Sequence, residues 1–216
     1  MGYTGDVSPG SAPAVRELRG LTVTKVSVGP YDNNAYLLRC AADGTQVLID
    51  AANDAATLVK LVGDGGLSAV VTTHQHPDHH FALAEVVAAT GARSFAGADD
   101  AEGIPVVTDP VRDGDTIPVG DCTLEVIHVV GHTPGSIVLL YREPDGIAHL
   151  FTGDCLFPGG VGKTVGEENF QSLIGDVEAK LFGRLPDDTW FYPGHGKDST
   201  LGAERPHLPE WHARGW

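Results

Sequence analysis

The sequence predicts an α+β domain of two mostly antiparallel β-sheets covered by helices, and three observations point there. Short β-branched apolar runs recur along the whole chain. They are joined mainly by Gly, Pro, Asn and Asp turns. The order is strands, helix, strand, helix, many strands, helix, strand, which is not the strict alternation of a doubly wound sheet. At 216 residues the chain has the length of one domain, 1–216, with ample material for a core.

In chain order, a weakly structured, flexible arm is expected over residues 1–13, then a strand over 21–28 that Asn33 and Asn34 break at a turn. Strands at 35–40 and 46–49 are joined by Ala42, Asp43 and Gly44 as a hairpin, and Asp50 closes the second. A helix is expected over 55–62, broken by Asp64, Gly65 and Gly66 before a strand at 68–73. A further helix ends near Gly91, residues 93–95 form a short strand, and 99–110 form an acidic loop with one short strand. Strands follow at 116–119, 123–130, 136–141 and 147–152, with turns at Gly131, Pro134, Gly135, Pro144 and Gly146. A Gly-rich stretch, 157–166, precedes a helix at 170–182, a last strand at 189–192 and a tail, 204–216, carrying Trp211 and Trp216.

Composition excludes several classes of function. Lys and Arg total 14 against 29 Asp and Glu, a formal charge of -15, so a broad field for nucleic acid or anionic lipid is absent. Three cysteines, Cys40, Cys122 and Cys155, are widely spaced without a C-x-x-C, which predicts reduced thiols and a cytoplasmic setting. The first twenty residues hold no apolar core of a signal peptide, and no run approaches the roughly 18 apolar residues of a membrane span.

The chain is organised around T-T-H-Q-H-P-D-H-H, residues 72–80, where His74, His76, Asp78, His79 and His80 fall within seven positions at a strand-to-helix turn. A strand delivers alternate side chains to one face, which places His74 together with His76, while Pro77 suits the turn and Asp78 with His79 opens the helix. Converging imidazoles and carboxylates are what a divalent, borderline-soft cation needs. Three further ligand types stand beside glycine at the ends of apolar strands: His132 in G-H-T-P-G, Asp154 in T-G-D and His195 in P-G-H-G. Five histidines and two aspartates are enough for two adjacent metals.

The segments T-H-Q-H-P-D-H, G-H-T-P-G-S, T-G-D and P-G-H-G, in this order and spacing, resemble the metallo-β-lactamase superfamily and within it glyoxalase II, the hydroxyacylglutathione hydrolase branch, with its small single-domain relatives. The resemblance runs from about residue 31 to 203. It implies a four-layer αββα sandwich with metals at one edge between the sheets. It also implies that His74, His76 and His132 hold one metal, that Asp78, His79 and His195 hold a second, and that Asp154 bridges them. The metals would be two divalent ions, zinc first, with iron or manganese as alternatives. The activity implied is hydrolysis of thioesters, S-acyl or S-hydroxyacyl conjugates of a low-molecular-weight thiol, by a metal-bridging hydroxide that Asp78 helps orient. Lys163 matches a substrate-binding lysine of the branch, although Val165 stands where that branch has an aromatic residue and Ala82 where it usually has glycine. The helical domain that supplies further glutathione contacts there has no counterpart in the twenty residues after Gly196.

Competing readings are an iron persulfide dioxygenase using His74, His132 and Asp154, a hydrolase of lactones, β-lactams or phosphodiesters, and a non-catalytic metal module. The presence of Asp78, His79 and His195 favours the binuclear hydrolase. His80 is expected to support the turn, His128 to be a hydrogen-bonded core residue, and His149, His207 and His212 to lie in loops or on the surface. Cys155 is expected to be a small buried side chain. The sequence leaves the oligomeric state open.

Overall fold

A computed structural model describes residues 3–215, and within them two sheets lie face to face with helices outside. The first sheet follows chain order: β1 (Ala14–Glu17), β2 (Leu21–Val28), β3 (Asn33–Cys40), β4 (Gln46–Ile49), β5 (Ala69–Thr72), β6 (Arg93–Gly97) and β7 (Asp109–Val111). Two helices interrupt it, α1 (Ala55–Val62) between β4 and β5 and α2 (Leu83–Thr90) between β5 and β6. The second sheet contains β8 (Thr116–Val119), β9 (Cys122–His128), β10 (Ile137–Arg142), β11 (Ala148–Gly153), β14 (Trp190–Pro193) and β15 (Ser199–Thr200). A small ribbon of β12 (Leu156–Phe157) and β13 (Gly160–Val161) leaves β11, and α3 (Glu167–Asp176) continues as a π-helical turn, Val177–Phe182.

Period-two alternation divides the strands between three apolar clusters. Val47 and Ile49 of β4, with Val126 of β9 and Leu139 of β10, face the other sheet and fill the space between the two. Leu48 points the other way, onto Leu58 of α1 and Val86 of α2. Ile127, Val138 and Leu140 likewise leave the inner core to pack under Leu173 of α3 and Trp211 of the last helix, Leu208–Arg214. Three cores between four layers make the expected αββα sandwich.

The first sheet is not mostly antiparallel. β1 to β4 run antiparallel, but β4, β5, β6 and β7 are parallel. The reason is the connections: a helix between consecutive strands carries the chain back across the sheet, so the next strand runs the same way. Asn33 and Asn34 do not break a strand either. They begin β3, and the turn lies before them at 29–32. The arm over residues 3–13 holds no strand or helix, yet it is tied down: the Tyr3 hydroxyl donates to Asp198 Oδ2 at 2.7 Å, and the Gly5 carbonyl accepts from buried Lys25 Nζ at 2.8 Å. In the tail, Trp211 is buried against Phe182 on the outer face of the second sheet, and Trp216 lies outside the described residues. Among the described residues no helix is long and apolar enough to cross a membrane.

The topology brings selected strand ends to one edge. β5, β11 and β14 finish there, and so does β9, which runs antiparallel to β10 as β11 does. Two hydrogen bonds sew the sheets together at this edge, from Asn34 N to Gly194 O at 2.7 Å and from Ile137 N to Thr73 O at 2.9 Å.

Candidate metal centre

All seven residues expected as ligands sit at that edge. Beyond β5 the chain bends at His74 and Gln75, is extended at His76, then makes a single 3-10 turn, Pro77–His79. Asp78 and His79 therefore do not open the helix: His80 leaves helical backbone at φ −144°, and α2 begins at Leu83. The His80 ring turns back to lie 3.0 Å from the Gln75 carbonyl, which makes it a support of the turn. His132 follows β9, Asp154 follows β11 and His195 follows β14.

The groups form two corners that share a carboxylate. His76 Nδ1 lies 3.0 Å from His132 Nε2, which lies 3.3 Å from His74 Nε2. Ligand nitrogens at about 2.0–2.1 Å from a tetrahedral zinc would be about 3.3 Å apart, so this spacing is that of one coordination sphere. In the other corner, Asp78 Oδ2 is 3.6 Å from His79 Nε2 and 3.4 Å from His195 Nε2. Asp154 stands between them. Its Oδ1 faces His79 Nε2 at 3.4 Å, while its Oδ2 faces His132 at 3.8 Å and His195 at 3.5 Å.

The rings of His132, His195 and His79 are aimed by a partner on the remote nitrogen. His132 Nδ1 sits 2.7 Å from the Lys163 carbonyl and His195 Nδ1 2.9 Å from that of Tyr31, which leaves both Nε2 atoms directed inward. His79 Nδ1 is 2.9 Å from Asp50 Oδ2, and Asp50 also accepts from Thr73 N at 2.8 Å and Thr73 Oγ1 at 2.9 Å. Asn33 Nδ2 donates to Asp78 Oδ2 at 2.9 Å. Gly194 is needed for close approach, because any side chain there would run into Asp154 Oδ1 and His79 Cε1.

Two observations test whether these residues fit a cation. His79 Nε2 and Asp154 Oδ1 are buried without a hydrogen-bond partner among the described residues, a costly state that a metal between them would relieve. The titration behaviour agrees with a ligand set. Burial, with His79 nearby, holds His74 well below the usual imidazole range, and burial lowers His132 against the pull of Asp154, so both stay neutral donors. Burial would raise the Asp154 carboxyl, but His79, His74 and His195 outweigh it and keep the group well below the usual carboxylate range. Asp78 is lowered too, against its burial, by donation from Asn33 and the charge of His79. Burial disfavours charge on His79, yet Asp154 and Asp50 raise it to about 10, so a proton holds the place that a cation would take.

Lys163 is exposed and lines a cavity of about 730 Å³ with Glu167, Gln171 and His212, next to the His132 ring that its carbonyl orients. The other histidines divide differently from expectation. His149 is fully buried, not on the surface. Its Nε2 is 2.8 Å from Glu143 Oε1 and its Nδ1 3.2 Å from the Tyr192 hydroxyl, because an inward position on β11 leaves it no access to water. His128 is hydrogen-bonded as expected, to the Pro134 carbonyl, but it is half-buried and not a core residue, because it stands at the end of β9; His207 and His212 are exposed, as expected. Cys155 is 1% exposed, the small buried side chain expected. Asp50 and Asn33 were missed as supports. Asp50 had a legible signal, since it ends an apolar strand as Asp154 does.

Comparison with known proteins adds to this geometry. The profile of the Metallo-beta-lactamase superfamily matches residues 28–195. A hydroxyacylglutathione hydrolase of Fuscovulum blasticum is 37% identical over 167 residues, which is 76% of this chain and 62% of that protein. The chain thus spans less than two thirds of that relative. Among solved structures, ETHE1 from Myxococcus xanthus superposes with a TM-score of 0.76 at 29% identity, covering 88% of this chain and 84% of the other. TTHA1623, determined in a di-iron-bound form, superposes with a TM-score of 0.66 at 30% identity, covering 84% and 96%.

Proposed function

The chain belongs to the Metallo-beta-lactamase superfamily, and from that premise we propose that it is a binuclear metal-dependent hydrolase of thioesters, S-acyl or S-hydroxyacyl conjugates of a low-molecular-weight thiol. The observation that carries this reading is the shared carboxylate: Asp154 reaches both corners, its Oδ1 3.4 Å from His79 and its Oδ2 3.8 Å from His132 and 3.5 Å from His195. In this reading His74, His76 and His132 hold one ion and Asp78, His79 and His195 the other, with Asp154 common to both. The thioester is supported by the hydroxyacylglutathione hydrolase relative, and two ions per chain by the di-iron form of TTHA1623.

Divalent ions, zinc first with iron or manganese as alternatives, supply Lewis-acid polarisation of a carbonyl and a lowered water pKa. The chain supplies placement. Asp78, kept ionised and pinned by Asn33, orients the attacking water with its carboxylate. Asp50 fixes the His79 ring, and the Tyr31 carbonyl fixes that of His195. A thiol leaves readily with a pKa of about 8.5, so no side-chain acid is required. Lys163 and its cavity receive the thiol portion, a local positive charge on a chain of net charge -15. The three free cysteines support a reducing, cytoplasmic setting.

A second reading is a mononuclear iron oxygenase of persulfides on His74, His132 and Asp154, favoured by the likeness to ETHE1. The orphaned His79 Nε2 weighs against it, because one ion at those three residues leaves the other corner unused. The experiment is an assay of the protein as isolated on both substrates. Release of free thiol from an S-hydroxyacyl thiol supports the hydrolase; oxygen uptake on a persulfide, with no thiol released from the thioester, rejects it.

A further inference from the structure

Asp100 takes no part in the chemistry above, yet it is completely buried and its partners all belong to the three-histidine corner. It stands three residues beyond β6. Its Oδ2 accepts from Gln75 N at 2.9 Å and from Thr133 Oγ1 at 2.6 Å, and its Oδ1 accepts from Gly135 N at 2.7 Å. Gln75 lies between His74 and His76, and Thr133 follows His132. One carboxylate therefore grips, from the side away from the ligand nitrogens, the two segments that carry all three imidazoles.

The loop packs against the turn closely enough to make these bonds obligatory. A side chain at Gly135 would run into Asp100 N and the Asp99 carbonyl carbon, and one at Gly97 into the Gly135 carbonyl. All three donors are uncharged, so the buried carboxyl is held by hydrogen bonds alone, the arrangement in which removing the acceptor strands several donors at once. An asparagine would keep one acceptor oxygen and turn an NH2 group toward a donor.

We propose that Asp100 is a positioning residue for the His74, His76 and His132 corner. It clips the His74 to His76 segment to the His132 loop, and so fixes the 3.0 Å and 3.3 Å separations of the ligand nitrogens. The inference rests on the reading of this corner as a metal site. It assigns Asp100 no part in the corner of Asp78, His79 and His195, which is supported by Asp50, Asn33 and the Tyr31 carbonyl.

The test compares the corners one at a time, with zinc as the probe. In a His195→Ala protein, which keeps the three-histidine corner, Asp100→Asn lowers zinc affinity by about 10–100-fold in competition with a chromophoric chelator, the usual cost of losing a ligand-supporting group. In a His132→Ala protein, which keeps the other corner, the same change leaves affinity within about threefold. Thr133→Val, which removes one of the three bonds, shifts affinity in the same direction by less and carries the comparison should Asp100→Asn fail to fold. Equal losses in both backgrounds would make Asp100 a general stabiliser and overturn the proposal. If the His195→Ala protein binds zinc and neither Asp100→Asn nor Thr133→Val weakens it, the clip alone is wrong. If that protein binds no zinc at all, the metal reading fails and the clip with it.

Discussion

The two corners of the site use similar donors but differ in how they are enclosed and held. In the three-histidine corner, the His74 side chain is buried, that of His132 is 6% exposed and His76 is half-buried. Its supports are the Lys163 carbonyl on His132, the Thr73 hydroxyl 3.0 Å from His74 Nδ1, and the buried Asp100, two of whose three donors are backbone N–H groups. In the other corner only His79 is deeply buried, while Asp78 and His195 are each 26% exposed. Its supports are side chains, Asp50 on His79 and Asn33 on Asp78, together with the Tyr31 carbonyl on His195. The loop bearing His195 is anchored by Lys25 Nζ, which donates to Gly196 O at 2.7 Å and to Asp198 Oδ1 at 2.6 Å with no exposure to solvent. A ligand set fixed through backbone changes only when the loop moves, whereas one fixed through side chains yields to a single substitution. The corner of Asp78, His79 and His195 is therefore the one expected to exchange its ion first and to present water to a substrate.

Breaking the shared carboxylate has the largest expected effect, because it erases the distinction. Asp154→Ala takes metal content from two per chain toward zero and slows thioester hydrolysis by about 10³-fold or more, the scale of several kcal/mol of lost charge stabilisation. Elemental analysis with a rate measurement checks both. Lys25→Met follows, since it leaves Asp198 buried without the cation that faces it. It lowers stability by about 3–5 kcal/mol in denaturant titration and weakens the ion beside His195 before the ion beside His132. Asp50→Asn is milder and more selective. It lowers affinity at the His79 corner by about 10–100-fold and affects the three-histidine corner, which it reaches only through Thr73 on His74, by less, read as the weaker of two steps in zinc release.

The smallest effect separates a site histidine from a structural one. Burial, partly countered by Glu143, holds His149 below the usual imidazole value. The unfolded chain then takes a proton near pH 6.5 that the folded chain resists, so this contribution to stability is present above about pH 6.5 and lost as pH falls below it. His149→Gln makes the fall of the melting temperature between pH 7 and 5.5 shallower and leaves zinc content at the parental value. Loss of zinc in this variant would tie His149 to the centre.

These supports also mark where the sequence stops being readable. The seven donors were legible because each is a polar residue beside glycine or a turn at the end of an apolar run, a position with no role in a core. Asp100 and Lys25 were not. Two of the three partners of each are main-chain atoms, of Gln75 and Gly135 for Asp100 and of Gly5 and Gly196 for Lys25, and nothing in the identity of a residue announces that its N–H or carbonyl will bind a distant side chain. Lys25, between Thr24 and Val26, reads as a solvated strand residue until the arm folds over it. The four layers were implied by the resemblance, and in the structure period-two alternation divides their cores, as at Val47, Leu48 and Ile49. The parallel half of the first sheet was present in the strand, helix, strand order around α1 and α2, and was obscured by the hairpins that precede it.

The most direct test of a binuclear thioesterase is a titration of metal-free protein with zinc, following hydrolysis of an S-hydroxyacyl thiol at each addition. The account predicts little activity up to one equivalent, as the enclosed three-histidine corner fills, then a steep rise that ends at two. Full activity at one equivalent, with no further gain at two, would contradict it.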